Sequence, residues 1–182
     1  MSWNFETANF SVRLPVVDQD GPQLFELLKN QNAAAHIPRL AQTVDAQALD
    51  ELRRMTMRFD SREAAFWLVE GRFDKKIFAR IGIQHINWMM LNAQLVWELD
   101  DELTDEGVLE FVPQLLEYVF AALKLHRIEM RLRPQQERHE RLLTWLGFAK
   151  EGCLPAQLEF EGESVDLEVW SLLNPTPLQD LE

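Results

Sequence analysis

Cysteine is almost missing from these 182 residues, Cys153 being the single one. That excludes an internal disulfide and fits a reducing compartment, so a cytoplasmic location is expected. Positive charge is also scarce. Lys and Arg number 18 against 30 Asp and Glu, for a net charge of −12. Non-specific nucleic-acid binding needs clustered cations to displace counterions, so no nucleic-acid partner is expected. The acidic balance reads either as plain solubility or as steering of a basic partner or amine substrate. No apolar run approaches the roughly 18 residues that span a bilayer, so no membrane partner is expected. The start, MSWNFETANF, has no basic region leading into an apolar stretch, so no secretory signal is expected. The four histidines, His36, His85, His126 and His139, are scattered without metal-ligand spacing, and no metal is expected. Tyrosine occurs once, as Tyr118.

What is present is bulk. The apolar fraction is 47%, with 6 Trp and 11 Phe, enough for a core or a ligand groove. No repeat, low-complexity tract or Gly/Ser/Pro linker breaks the chain. It reads as one domain over 1–182, with its core over about 10–173 and a polar tail from Asn174 to Glu182.

Periodicity divides that domain into elements. SVRLPVV (Ser11 to Val17) reads as a strand. Asp18, Gly21 and Pro22 mark a turn and a helix start, and Leu24, Phe25 and Leu28 give that helix an apolar stripe. Leu49, Leu52, Met55 and Phe59 predict a second helix. AAFWLVE (Ala64 to Glu70), KIFARIGIQHINW (Lys76 to Trp88, with Gly82 as a bulge or kink) and AQLVWEL (Ala93 to Leu99) predict an antiparallel meander. Leu109, Val112, Leu116, Val119 and Leu123 then carry a helical period. RIEMRL (Arg127 to Leu132) is a strand reached by crossover, hence parallel to the one before the helix. Arg138 to Leu146 predicts a short helix stopped at Gly147. Two last strands, Leu154 to Phe160 and Val165 to Leu172, flank the turn EGES. The fold class expected is α/β, a mixed and mostly antiparallel sheet of six or seven strands with about four helices.

That order of elements, with WELDDEL, LKLHRIEMRL, LLTWLGFAKEG and EFEGESVDLEVWSLL at these spacings, resembles the GNAT superfamily of acetyl-coenzyme A dependent N-acetyltransferases. It is most similar to the branch that acetylates ribosomal-protein N-termini (RimJ/RimL-like). The resemblance covers about Phe10 to Leu173. It implies that the strand ending at Leu99 splays from the strand Arg127 to Leu132, and that its free backbone groups, around Trp97 and Leu99, pair with the pantetheine arm. It further implies a loop of pattern Gln or Arg, two residues, Gly, one residue, Gly, whose amides and helix dipole hold the pyrophosphate.

Here the sequence departs from the family. Counting back from Gly107, Asp105 stands at the first glycine position, Glu102 at the Gln/Arg position and Glu106 at the intervening site. Pro113 lies beyond the first turn of a helix beginning at Val108, so a later start or a kink is expected. Where the family often has Asn and Ser, this chain has Gln136 and His139. The cofactor-binding residues implied are therefore Trp97, Leu99, Thr104, Asp105, Glu106, Gly107, Val108, Leu109, Gln136 and His139, with acetyl-CoA as the cofactor. Phosphates could use the Gly107, Val108 and Leu109 amides if Asp105 and Glu106 turn to solvent.

Acetyl transfer needs a proton acceptor for the amine and an acid for the leaving thiolate. Glu98, at the end of the splayed strand, is the first candidate base, and an outward-facing strand carboxylate is its other reading. His85 is the second candidate, against a satisfied or surface histidine. His139 either faces the pantetheine arm or, on the more ordinary reading, solvent. Tyr118 sits mid-helix, so the acid has no obvious holder. Trp88, Met89, Met90 and Leu91 form an apolar hairpin that reads as a homodimer contact, a substrate wall or buried core. Two functions remain open at this level. One is acetyl transfer from acetyl-CoA to a primary amine, on a small molecule or a peptide N-terminus. The alternative is a GNAT fold that has lost coenzyme A and serves as a binding or regulatory module.

Overall fold

The computed structural model describes residues 2–176. The chain forms β1 (Phe5–Glu6), β2 (Phe10–Arg13), α1 (Val17–Leu28), a 3-10 turn (Gln31–Ala34), α2 (Asp45–Asp60), β3 (Ala65–Gly71), β4 (Ile77–Asn87), β5 (Asn92–Leu99), α3 (Asp105–Leu123), β6 (Arg127–Leu132), α4 (Glu137–Trp145), β7 (Ala149–Phe160) and β8 (Glu163–Leu173). The sheet order is β1-β2-β3-β4-β5-β6-β8-β7, so it has 8 strands rather than six or seven. The strand missed in the sequence is the two-residue β1, too short to carry a period. All neighbours pair antiparallel except β5 and β6, which the α3 crossover makes parallel.

The sheet has two helical layers. Alternate residues of its strands face opposite ways. Phe66, Leu68, Ile77 and Val96 pack with Leu24, Leu27, Leu52 and Met55 of α1 and α2. Trp67, Ile81, Leu95, Trp97 and Leu99 pack with Val108, Phe111, Val112 and Leu115 of α3 and with Leu142 and Leu143 of α4. Trp3 ties the layers together at one end of the sheet. Its carbonyl accepts from Trp67 Nε1 at 2.8 Å. Its ring stacks on Trp67 and meets Phe59 of α2 and Tyr118 of α3 edge-on.

Several boundaries depart from expectation for local reasons. The first long strand ends at Arg13, and α1 begins at Val17. Asp20 causes this: its carboxylate takes the Val16 N–H at 2.6 Å and two Arg13 contacts at 2.7 and 2.9 Å, tying the first turn to the strand. Helix α3 starts at Asp105, earlier than expected, because Thr104 Oγ1 caps it by accepting the Gly107 N–H at 3.1 Å. Pro113 lies inside the same continuous helix. Gly82 is no bulge, since the two β4 irregularities fall at Phe78, against β3, and between Gln84 and Asn87, against β5. A Cβ at Gly82 would stand 2.3 Å from the Phe66 ring, so glycine is there to admit that ring. The expected tail lies partly outside the described residues, from 177 onward.

Candidate active site

The backbone opens where the resemblance implies. β5 pairs with β6 only through Asn92–Gln94 against Arg127–Glu129. Beyond that point β5 stays bonded to β4 as far as Leu99, while β6 stays bonded to β8 as far as Leu132. Leu95 to Leu99 therefore present an edge that β6 does not cover. Thr104 and the start of α3 follow directly, so an unpaired strand edge and a helix N-terminus lie in sequence along one groove.

The face of β5 toward α1 and α2 carries Glu98, and it is not free. The carboxylate is buried and receives Arg80 Nε at 2.8 Å, a second Arg80 contact at 2.6 Å and an ion pair from Arg39. Arg80 pairs in turn with Glu51 of α2. Burial works to raise the Glu98 pKa, but Arg80 and Arg39 overcome it and hold the carboxyl below its ordinary range. Glu51 is likewise lowered to about 2 against the pull of burial, by Arg80 first and Arg54 next. A carboxylate committed to two guanidiniums is a poor proton acceptor, so this geometry gives Glu98 the work of a clamp on Arg39 and Arg80. His85 is exposed, with φ 52°, at the β4 irregularity near the paired end of β5. It lies five residues from Arg80 on β4, a separation of about 17 Å along a strand.

The opposite face carries Trp97, whose Nε1 donates to His139 Nδ1 at 3.0 Å. Of the two readings of His139, facing the pantetheine arm or facing solvent, burial rules out the second, because α4 turns the ring inward with Leu142 and Leu143. It meets His36 at the aperture between β5 and β6: the two rings stack with centroids 3.9 Å apart. His36 comes from the connection after the 3-10 turn, and its carbonyl accepts the Arg133 N–H at 2.8 Å just past β6. The His36 side chain is fully buried, and neither ring nitrogen has a well-formed hydrogen bond. Burial pushes its pKa down to about 4, opposed in part by the Trp97 backbone. Burial, then the neighbouring His36 and Arg138, push His139 down to about 3. Both rings are neutral at pH 7.

At the helix end of the groove, Asp105 turns to neither solvent nor an open anion site. It pairs with Arg138 at 2.7 Å and Arg141 at 2.9 Å, both from α4. Burial works to raise its pKa, and the two guanidiniums hold it down. Arg138 also reaches the Leu103 carbonyl. Glu106 is exposed. Gly107 and Val108 spend their N–H groups on the Thr104 hydroxyl and carbonyl, so an anion would meet first the N–H groups of Asp105 and Glu106. Leu109 is half-buried against the core, one turn farther in. Gly107 has a packing reason of its own, since a Cβ there would stand 2.9 Å from Leu103 Cδ1. Gln136 sits half-buried before α4, its N–H donated to Glu140 at 3.1 Å.

Of the residues proposed from the sequence, Trp97, Leu99, Thr104 to Val108 and His139 follow the open β5 edge into α3, whereas Glu98 turns its side chain to the opposite face. His85 does not join them. Tyr118 packs against Trp3 at the far end of the sheet. Trp88, Met89 and Met90 are exposed, so the core reading of that hairpin does not hold. Cys153 is exposed on β7. The sequence reading missed Arg39, Arg80 and the contact between His36 and His139. Arg80 left a trace, as a cation in the midst of an apolar strand. Among the described residues no group of His, Cys, Asp and Glu is arranged to hold a metal, and no helix is long and apolar enough to cross a membrane.

Comparison with known proteins agrees with this architecture. Residues 12–149 match the model of the Acetyltransferase (GNAT) domain, and the chain belongs to that family. It is 25% identical over 161 residues to an uncharacterized N-acetyltransferase, YoaA, of Bacillus subtilis (strain 168), covering 88% of this chain and 91% of the relative. Among solved structures it resembles the ribosomal-protein-S5-alanine acetyltransferase of Vibrio fischeri, with TM-score 0.83 and 22% identity over 94% of this chain and 97% of that one. It also resembles the spermidine N-acetyltransferase of Vibrio cholerae in complex with CoA and spermine, with TM-score 0.75 and 19% identity over 90% and 95% of the two chains.

Proposed function

We propose that the protein transfers an acetyl group from acetyl-CoA to a primary amine, on a small molecule or a peptide N-terminus. The observation that carries this reading is the uncovered edge of β5 from Leu95 to Leu99, leading into the N-terminus of α3. Such an edge suits the amide-rich pantetheine arm, and a helix start suits a phosphate. Two relatives in fold are named for alanine and spermidine acetylation, so amines of both kinds are reasonable acceptors. The acidic surface would draw such cationic amines.

The donor set fits the cofactor chemically. Leu95 to Leu99 offer backbone groups, the α3 start offers N–H groups, and Arg138 and Arg141 stand beside it as two cations that a phosphate would share with Asp105. Bound there, the cofactor would supply an activated acetyl thioester. This chain would hold the β5 edge in place through the clamp of Glu98, Arg80 and Glu51. It would also keep water from the aperture with Trp97 and His139, which hold each other by the 3.0 Å hydrogen bond. With pKa values pushed down to about 4 and about 3, His36 and His139 are weak bases, so the site suits an amine that arrives already neutral.

Two observations favour a second reading, a GNAT-fold module that binds a partner without turnover. Asp105 already satisfies the two α4 arginines, and His36 already fills the aperture. Calorimetric titration with CoA and acetyl-CoA, followed by thiol-release assays with spermidine and short peptides, decides between them. Binding with thiol release supports the transferase. Absence of both leaves the module.

A further inference from the structure

The cofactor cleft and its contents disagree: the strand edges part as a pantetheine arm requires, yet a piece of the chain lies between them. We propose that residues 31–41 form a removable stopper, with His36 holding the place the pantetheine arm must take. This rests on the acetyl-CoA reading above. It adds that cofactor binding and withdrawal of His36 are one event.

Four features of the segment support withdrawal. First, it is internally closed. Gln31 donates Nε2 to the Arg39 carbonyl at 2.7 Å and accepts the Ala41 N–H at 2.8 Å, so the loop keeps its own bonds when it moves as a body. Second, it has a fixed base, where Gln42 N–H meets the Leu28 carbonyl at 2.9 Å. Third, its outer tethers are exposed: Asn30 and Asn32 reach Asp101 at 2.8 and 3.4 Å. Fourth, its buried ion pair, Arg39 on Glu98, is dispensable to Glu98, which keeps both Arg80 contacts when Arg39 leaves, and its apolar hold on the core comes from two small side chains, Ala33 and Ala34.

The stopper's tip is also poorly satisfied. A buried imidazole that finds only a poorly aligned partner in the Trp97 backbone gives up solvation without full return, so its seat is a weak one. The single backbone bond it makes on that side, from Arg133 just past β6 to the His36 carbonyl, is the kind an inserted amide-bearing ligand could replace. The contrast with Glu98 and Arg80 is direct. Those buried polar groups are fully paired and belong to the permanent frame.

The test uses the full chain and coenzyme A as the probe. The four histidines give few imidazole C2–H proton signals, and loss of one signal in His36→Ala assigns His36. Its chemical shift reports stacking on His139. In the wild type the His36 signal should leave its stacked position in proportion to the CoA bound calorimetrically. Arg39→Ala and His36→Ala should each bind CoA at least tenfold more tightly. Asn32→Asp, which sets a carboxylate beside Asp101 on the surface, should tighten binding by a smaller factor without touching the core. Tighter binding in the variants with none in the wild type also supports the stopper. CoA binding with an unmoved His36 signal, or equal affinity in all four proteins, overturns the stopper and leaves the acetyl-CoA reading standing. No binding by any of the four overturns both.

Discussion

His36 and His139 lie face to face, 3.9 Å between ring centroids and 24° between planes, although one follows α1 and the other belongs to α4. These elements belong to opposite layers of the sheet, so the pair meets where β5 and β6 part. Trp97 fixes the His139 side through its 3.0 Å hydrogen bond, and nothing comparable fixes the His36 ring.

The pair makes stability depend on pH. His36 and His139 have folded pKa values of about 4 and about 3, below the ordinary value near 6.5 of an unfolded chain. The unfolded state therefore binds more protons as pH falls below about 6.5, and stability is lost from there down through the folded values. His36 alone accounts for on the order of 3 kcal/mol across that window. Denaturant melts at pH 7, 6, 5 and 4 should show the decline, and His36→Gln should flatten it. An equal slope in the variant would remove His36 from the account.

Glu98 offers a second prediction. Replacing it with Gln leaves Arg80 buried with Glu51 alone and removes the partner of Arg39. Breaking a buried ion pair on one side costs about 3–5 kcal/mol. Thermal unfolding of Glu98→Gln should fall by about 10 °C. A melting point within about 2 °C of wild type would mean that the clamp carries little stability.

Charge at the α3 end gives a third. Asp105→Asn frees Arg138 and Arg141 and removes a negative charge from the first helical turn. CoA affinity should rise about five- to tenfold at low salt and less at high salt. The double change Asp105→Gly with Glu106→Lys should act in the same direction and further. Unchanged affinity in both would show that CoA does not place its phosphates there.

Packing supplies a fourth. Gly82→Ala drives a methyl into the Phe66 ring and should cost about 1–3 kcal/mol in denaturant unfolding. Phe66→Leu in the same chain should recover part of that loss. A neutral Gly82→Ala would show that the ring has room to move.

Much of the frame was legible because apolar residues repeat with the period of the element they build. The meander, the long helix and the crossover to Arg127–Leu132 all follow that rule. The site was less legible, for identifiable reasons. His139 shares a helical face with Leu142, Leu143 and Leu146, and that phase, rather than its polarity, decides its burial. Arg80 stands between apolar neighbours on a strand, a placement tolerated when a carboxylate lies opposite, and Glu98 is its register partner on β5. His36 carried no signal at all. Its segment has no period, and its position depends on a gap formed by strands some 60 to 100 residues later in the chain.

Trp3 gives the fold a practical vulnerability. One side chain beside the two-residue β1 touches Phe59, Trp67 and Tyr118, and so spans α2, the sheet and α3. A single indole near the start of the chain therefore acts as a rivet through three layers, and trimming the chain back past it would loosen α2, the sheet and α3 together.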